Sequence, residues 1–101
     1  MTEDEIEQQI RDKGLTAPRL TPEHISGMCM NDQYYRFPNT NTTVCCITLF
    51  NGFTVTGESS CVSDENFDED VGKNIAFENA RDKIWLLEGY LLNYNLRKEV
   101  K

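Results

Sequence analysis

The chain has 101 residues, with 10 Lys or Arg against 17 Asp or Glu and a formal charge of −7. That length suits one domain over residues 1–101, burying roughly two-thirds of its unfolded surface, and leaves a core thin enough for a partner subunit to add stability. Hydrophobic content of 39% separates it from a disordered acidic tail. The negative balance argues against direct nucleic-acid binding, which Lys and Arg carry.

Met1-Thr2-Glu3-Asp4-Glu5 is acidic and polar, and no apolar run approaches the roughly 18 residues of a membrane span. Neither a signal peptide nor a membrane partner is expected, and the chain is expected to stay in the cytosol. Thr2 and Glu5 have the spacing of a capping box. Ile6 and Ile10 then repeat at i, i+4 as an inward stripe, and Gly14 is placed to end the helix. Thr21-Pro22-Glu23 reads as an N-cap, a proline at the first helical position and an acidic first turn. This second helix carries Ile25 and Met28 inward and finishes near Met30, so residues 1–30 form a helical N-terminal part. His24, the one histidine, reads as a surface or satisfied side chain.

Residues 33–37 are aromatic-rich and read as a strand closed by Pro38, with turn residues at 39–42. A sheet is expected within 33–62, centred on a hairpin over 43–60. Its two arms are rich in Thr, Val, Ile, Cys and Phe and flank Asn51-Gly52, the preferred pair for a two-residue turn with positive φ at both positions. That turn pairs Phe50 with Phe53, Thr48 with Val55, Cys46 with Gly57 and Val44 with Ser59. The expected buried face is then Val44, Cys46, Phe50, Phe53 and Val55, with Cys45, Ile47, Leu49, Thr54, Thr56 and Glu58 on the other. Cys29, Cys45, Cys46 and Cys61 contain no C-x-x-C pair, and free, mostly buried thiols are expected.

A long helical pattern fills 66–96. Asn66 with Glu69 three residues on fits a cap, and Asp68, Glu69 and Asp70 suit the positive end of the helix dipole. Gly72, Ala76 and Ala80 form a small-residue row over which a backbone can approach closely, either the chain's own sheet or a second copy. Gly89 is a place for the helix to bend or divide, and Arg97, Lys98 and Lys101 suit its C-terminus.

Chemistry-bearing patterns are few. Asp64, Asn66, Asp68 and Asp70 alternate like a calcium loop, but Glu69 and Ile75 stand where such a loop needs Gly and Glu, so no metal is expected. There is no glycine-rich phosphate loop, no nucleophile with an assignable base and no implied cofactor, so no enzymatic activity is expected. Two binding features stand out. Lys73, Phe77 and Arg81 lie on one i, i+4 line as two cations around an aromatic face, and together with Arg36 they are expected to hold a small anion or nucleotide. The segments 3–7 and 58–70 carry carboxylates and no basic residue, and Glu58, Asp64, Glu65, Asp68, Glu69 and Asp70 form an acidic contact surface for a basic host protein.

Thr43-Val44-Cys45, the run from Leu49 to Ser59, Asn66-Phe67-Asp68 with Gly72, and Ala76-x-x-x-Ala80 followed by Lys83 to Leu91 together resemble a widespread family of small tailed-bacteriophage proteins, the gp-forty-nine/sixty-six-like family. The likeness covers about residues 40–92. It implies a phage or prophage accessory gene acting in the host bacterial cytoplasm and brings no catalytic or binding residues with it.

These readings converge on an α+β fold: a small antiparallel sheet built on the 43–60 hairpin, packed by a long C-terminal helix and by short N-terminal helices. A homo-oligomer is expected through the Gly72, Ala76 and Ala80 row, with a dimer favoured because two-fold closure is commonest. The expected function is non-enzymatic binding of a host macromolecule through the acidic surface. The alternative is sequestration of a nucleotide signal by Arg36, Lys73, Phe77 and Arg81, counteracting host defence.

Overall fold

A computed structural model describes the backbone of residues 2–15 and 17–99; Lys101 lies outside the described residues. Helix α1 spans Glu3–Asp12 and α2 spans Pro22–Met28. Three strands follow, β1 Cys29–Arg36, β2 Thr42–Leu49 and β3 Thr54–Ser60, then a single 3-10 turn at Asp64–Asn66 and α3, Glu69–Glu99. The sheet is antiparallel in the order β1-β2-β3, so β2 is central. The architecture is the expected α+β one.

Local chemistry explains the helix starts. The Thr2 hydroxyl accepts from the Glu5 amide at 3.1 Å and the Glu5 carboxylate accepts from the Thr2 amide at 3.1 Å, a complete capping box. Thr21 caps α2 by accepting from the His24 amide at 3.1 Å, with Pro22 in the first turn. For α3 the cap is Asp68, which accepts from the Val71 amide at 3.0 Å. Asn66 instead closes the 3-10 turn, its amide donating to the Ser63 carbonyl.

Four expectations are corrected. Helix α2 stops at Met28 rather than Met30, because the chain passes directly into β1, which begins at Cys29 instead of 33 and bulges around Met30. Ile6 is 45% exposed and Glu7 is buried, so polar contacts hold α1 as much as its apolar stripe. Helix α3 runs uninterrupted through Gly89. One interior glycine costs only about 1 kcal/mol relative to alanine, too little to break a helix with strong formers on both sides.

The fourth correction is the hairpin register. Thr48 pairs with Thr54, Ile47 with Val55, Cys45 with Gly57 and Thr43 with Ser59, one residue away from the expected pairing. The loop has three residues, 50–52: the Leu49 amide donates to the Phe53 carbonyl at 2.8 Å, the Gly52 amide donates to the Leu49 carbonyl at 2.9 Å, and only Gly52 has positive φ (+87°). Because strand side chains alternate, the slip turns β2 over. Cys45 and Ile47 become fully buried and Leu49 nearly so, while Val44 and Cys46 are half-buried and Phe50 and Phe53 stand in solvent. Burying Ile47 and Leu49 is worth about 1.5–3 kcal/mol each, which decides the register. Of the four thiols, Cys45 is buried and the other three half-buried, and all are free.

Helix α3 lies across the inner sheet face, over β2 and β3. The core comprises Ile25, Cys45, Ile47, Leu49, Val55, Ala76, Ala80 and Ile84. Gly57 makes the close approach possible: a Cβ there would lie 2.2 Å from the Ala80 nitrogen and 2.4 Å from the Ala76 carbonyl oxygen. Of the row Gly72, Ala76, Ala80, the two alanines are therefore fully buried against the chain's own sheet and Gly72 is buried beside Thr43 and Ser59, so the row packs on its own sheet and not, as the expected dimer required, on a second copy.

Candidate functional site

The four residues of the expected anion site are separated by their contacts. Arg81 is 6% exposed. Its Nε and Nη2 donate to the two Glu3 carboxylate oxygens at 3.2 and 3.1 Å, Nη1 donates to the Ser26 hydroxyl at 3.0 Å, and Nη2 also donates to the Pro22 carbonyl at 3.1 Å. Trp85 Nε1 donates to the same Glu3 carboxylate at 3.0 Å. Arg81 thus ties α1 and α2 to α3, with four of its five N–H donors engaged and its guanidinium buried away from any ligand. This corrects its assignment to a ligand site; the cause is a partner, Glu3, far away in sequence. Phe77 is half-buried against the core. Lys73 Nζ lies 3.7 Å from Glu69 and 5.7 Å from the Tyr34 ring centroid. Arg36 donates from Nε to the Thr40 carbonyl at 2.9 Å and stacks 4.0 Å from the Phe67 ring centroid, beside a recess of about 330 Å3 that Asp64 and Asn41 share.

Two thiols are shifted away from the thiolate form. Burial pushes Cys29 above its ordinary value, against the opposing effect of Arg81, and burial likewise pushes Cys45 up. Burial also raises Tyr34, whose hydroxyl donates to Asp32 at 2.8 Å. His24 Nε2 lies 2.9 Å from a Glu88 carboxylate oxygen. Among the described residues no three His, Cys, Asp or Glu side chains come together as a metal site, and no helix is long and apolar enough to cross a membrane.

A concavity of about 440 Å3 lies at the C-terminal end of β3. Its walls are Glu58 to Ser60 of the strand with Cys61 just beyond it, Asn66 to Asp68 before the helix, and Val71, Gly72, Ile75 and Asn79 of α3. Strand order leaves the outer edge of β3 without a neighbouring strand among the described residues. The hydrogen bond from the Leu49 amide to the Phe53 carbonyl, and that from the Cys61 amide to the Asn41 carbonyl at 3.3 Å, make the odd-numbered residues of β3 the ones bonded to β2. The amides and carbonyls of Thr54, Thr56, Glu58 and Ser60 therefore point outward. Asn79 shows the consequence: its side-chain amide reaches down from α3 and donates to the outward Glu58 carbonyl at 2.7 Å.

Two apolar side chains, Val71 at 52% and Ile75 at 47% exposure, flank the groove. The six acidic residues read from the sequence are all exposed. Glu58 and Asp68 line the groove, Asp64 accepts from Asn41 at 2.7 Å close by, Glu69 faces Lys73, and Glu65 and Asp70 extend into solvent. Ser59 and Asn79 are site residues that the sequence reading missed. The available signal was the i, i+4 pair Val71 and Ile75 beside the small-residue row, which marks an apolar helix edge leaning over a strand.

A family model described as phage protein (N4 Gp49/phage Sf6 gene 66) family matches residues 20–96, well over half of the chain. No curated protein and no solved structure matches it.

Proposed function

The chain belongs to the phage N4 Gp49/phage Sf6 gene 66 family, and we propose that it acts as a non-enzymatic accessory protein that captures a host protein in the cytoplasm of the infected bacterium. The contact is the β3 groove, and the bound element is an extended, basic segment of the host protein that adds as a fourth strand beside Thr54–Ser60. The observation that carries this reading is the row of outward backbone groups on β3, whose Glu58–Ser60 end opens into an acidic groove flanked by Val71 and Ile75, with Asn79 already bonded to the Glu58 carbonyl. Edge pairing supplies main-chain hydrogen bonds, and Val71 and Ile75 give an apolar seat for alternate side chains. The surrounding carboxylates select Lys and Arg and speed encounter. The other sheet edge is a poorer seat, because β1 is bulged near Cys29 and Met30.

A nucleotide-sequestering role is the weaker reading, since Arg81 is engaged by Glu3, Ser26 and Pro22 and leaves only Lys73 and Arg36 near an aromatic face.

The test is a photo-crosslinking residue at Thr56, on the outward edge of β3 leading into the groove, compared with one at Tyr35 on β1, both expressed during infection. The expected result is a host-protein adduct from position 56 that maps to a Lys- or Arg-rich segment and disappears in a Glu58→Lys, Asp68→Lys background. Absence of an adduct at 56, or an adduct indifferent to the charge reversal, contradicts the proposal.

A further inference from the structure

Helix α3 is 31 residues long, about 46 Å at 1.5 Å per residue, in a molecule whose longest extent is 54 Å. Its first half is seated on the sheet through Ala76, Ala80 and Ile84. Its second half is covered on one side only, where Glu88 meets His24 and Gly89 faces Leu20. The opposite side carries Leu86 at 76%, Leu87 at 42%, Tyr90 at 76%, Leu91 at 50% and Tyr94 at 57% exposure. At 100° per residue these five fall within about 140° of arc, an apolar stripe as broad as the core-facing stripe of a buried helix. Phe50 and Phe53 on the hairpin tip, 63% and 57% exposed, continue the surface beside Leu87 and Leu91.

We propose that this stripe is the surface on which a second copy of the chain packs, its α3 antiparallel to the first, to form a two-fold dimer. Area is the first argument. Taking about 200 Å2 for a fully exposed large side chain, the seven residues present about 800 Å2, the contribution of each partner to a standard stable interface. A lone soluble chain rarely exposes so much contiguous apolar surface. Charge is the second argument, and it selects a second copy. Residues 83–101 carry Lys83, Arg97, Lys98 and Lys101 against Glu88 and Glu99, a balance of +2, whereas the rest of the −7 chain carries −9. Two such bodies, each carrying −9, repel one another on average away from this stretch. An antiparallel pair brings each basic C-terminal end back toward the acidic body of its partner.

This interface is separate from the β3 groove, so the two proposals stand or fall independently. Sedimentation equilibrium of the full chain at micromolar concentration tests it. The expected wild-type mass is twice 11.7 kDa. Tyr90→Lys with Leu86→Lys is expected to weaken the dimer by about a hundredfold or more, as loss of central hot-spot side chains does. Thr56→Lys, outside the stripe, is expected to leave it intact. Hydrogen exchange of residues 86–96 in the unmodified chain gives a readout independent of any variant, and protection there is expected to rise with protein concentration. A wild-type monomer, a dimer that survives the paired lysines, or exchange that ignores concentration overturns the proposal; so does a stripe protected only by a host protein.

Discussion

Gly57 lies so close beneath Ala80 that a Cβ on it would stand 2.2 Å from the Ala80 backbone nitrogen. Backbone meets backbone there, with the Ala76 carbonyl and the Asn79 backbone forming the rest of the wall, so no flexible side chain can move aside. This contact sets the height of α3 over the sheet and with it the depth of the β3 groove. Gly57→Ala is expected to destabilise the fold by about 3 kcal/mol through overpacking, read as a lowered denaturation midpoint. Gly27→Ala, where nothing lies within 4 Å of an added Cβ, is the control and is expected to leave stability unchanged or raise it by up to about 1 kcal/mol, since the position is helical.

Arg81 is predicted to be a structural residue. Arg81→Ala strands the Pro22 carbonyl and the Glu3 carboxylate. The latter is partly exposed, which limits the loss to about 2 kcal/mol. Because Trp85 Nε1 shares the Glu3 carboxylate, the tryptophan fluorescence of the folded variant is expected to shift. Arg81→Lys is expected to restore only part of the stability, since an ammonium cannot reproduce the two-pronged contact.

The register of the hairpin makes a prediction that separates neighbouring residues. Ile47 is fully buried and Cys46 only half-buried. Ile47→Ala is expected to cost about 3 kcal/mol and Cys46→Ser less than about 1 kcal/mol, measured by chemical denaturation. Equal costs, or the reverse order, would indicate the two-residue turn.

Cys29, Cys45 and Tyr34 all hold their protons more tightly in the folded chain than at their ordinary values of 9.0, 9.0 and 10.0. A raised folded pKa contributes stability that is whole below the unfolded value and lost as pH rises through the folded one. Stability is therefore expected to be level up to about pH 8 and to fall by about pH 10, with Cys45→Ala flattening part of the decline. An unchanged denaturation midpoint across that interval contradicts the assignment.

Much of the fold was legible from short-range chemistry. Thr2 with Glu5 and Thr21 with Pro22 locate two helix starts, and the Thr, Val and Ile arms around Asn51-Gly52 locate the hairpin. Its register was not, because Asn51-Gly52 satisfies two loops. One needs positive φ at both residues and the other at Gly52 alone, and only the burial of Ile47 and Leu49 under α3 decides between them. The exposure of Glu58, Asp64, Glu65, Asp68, Glu69 and Asp70 follows from charge. The place of Arg81 does not, since Glu3 reaches it from the other end of the chain. The groove itself depends on strand order: the hairpin alone does not say whether β3 is an edge, and Asn79 acquires its role only once Glu58 has an outward carbonyl.

Amide hydrogen exchange along β3, first in the isolated protein and then in its crosslinked host complex, tests most directly whether this edge is the docking site. The expected pattern in isolation is alternation: slow exchange at Val55, Gly57 and Ser59, bonded to β2, and fast exchange at Thr54, Thr56 and Glu58, which face outward. In the complex the fast set is expected to become protected. Outward amides already slow in the isolated protein, or still fast in the complex, would contradict strand addition at β3.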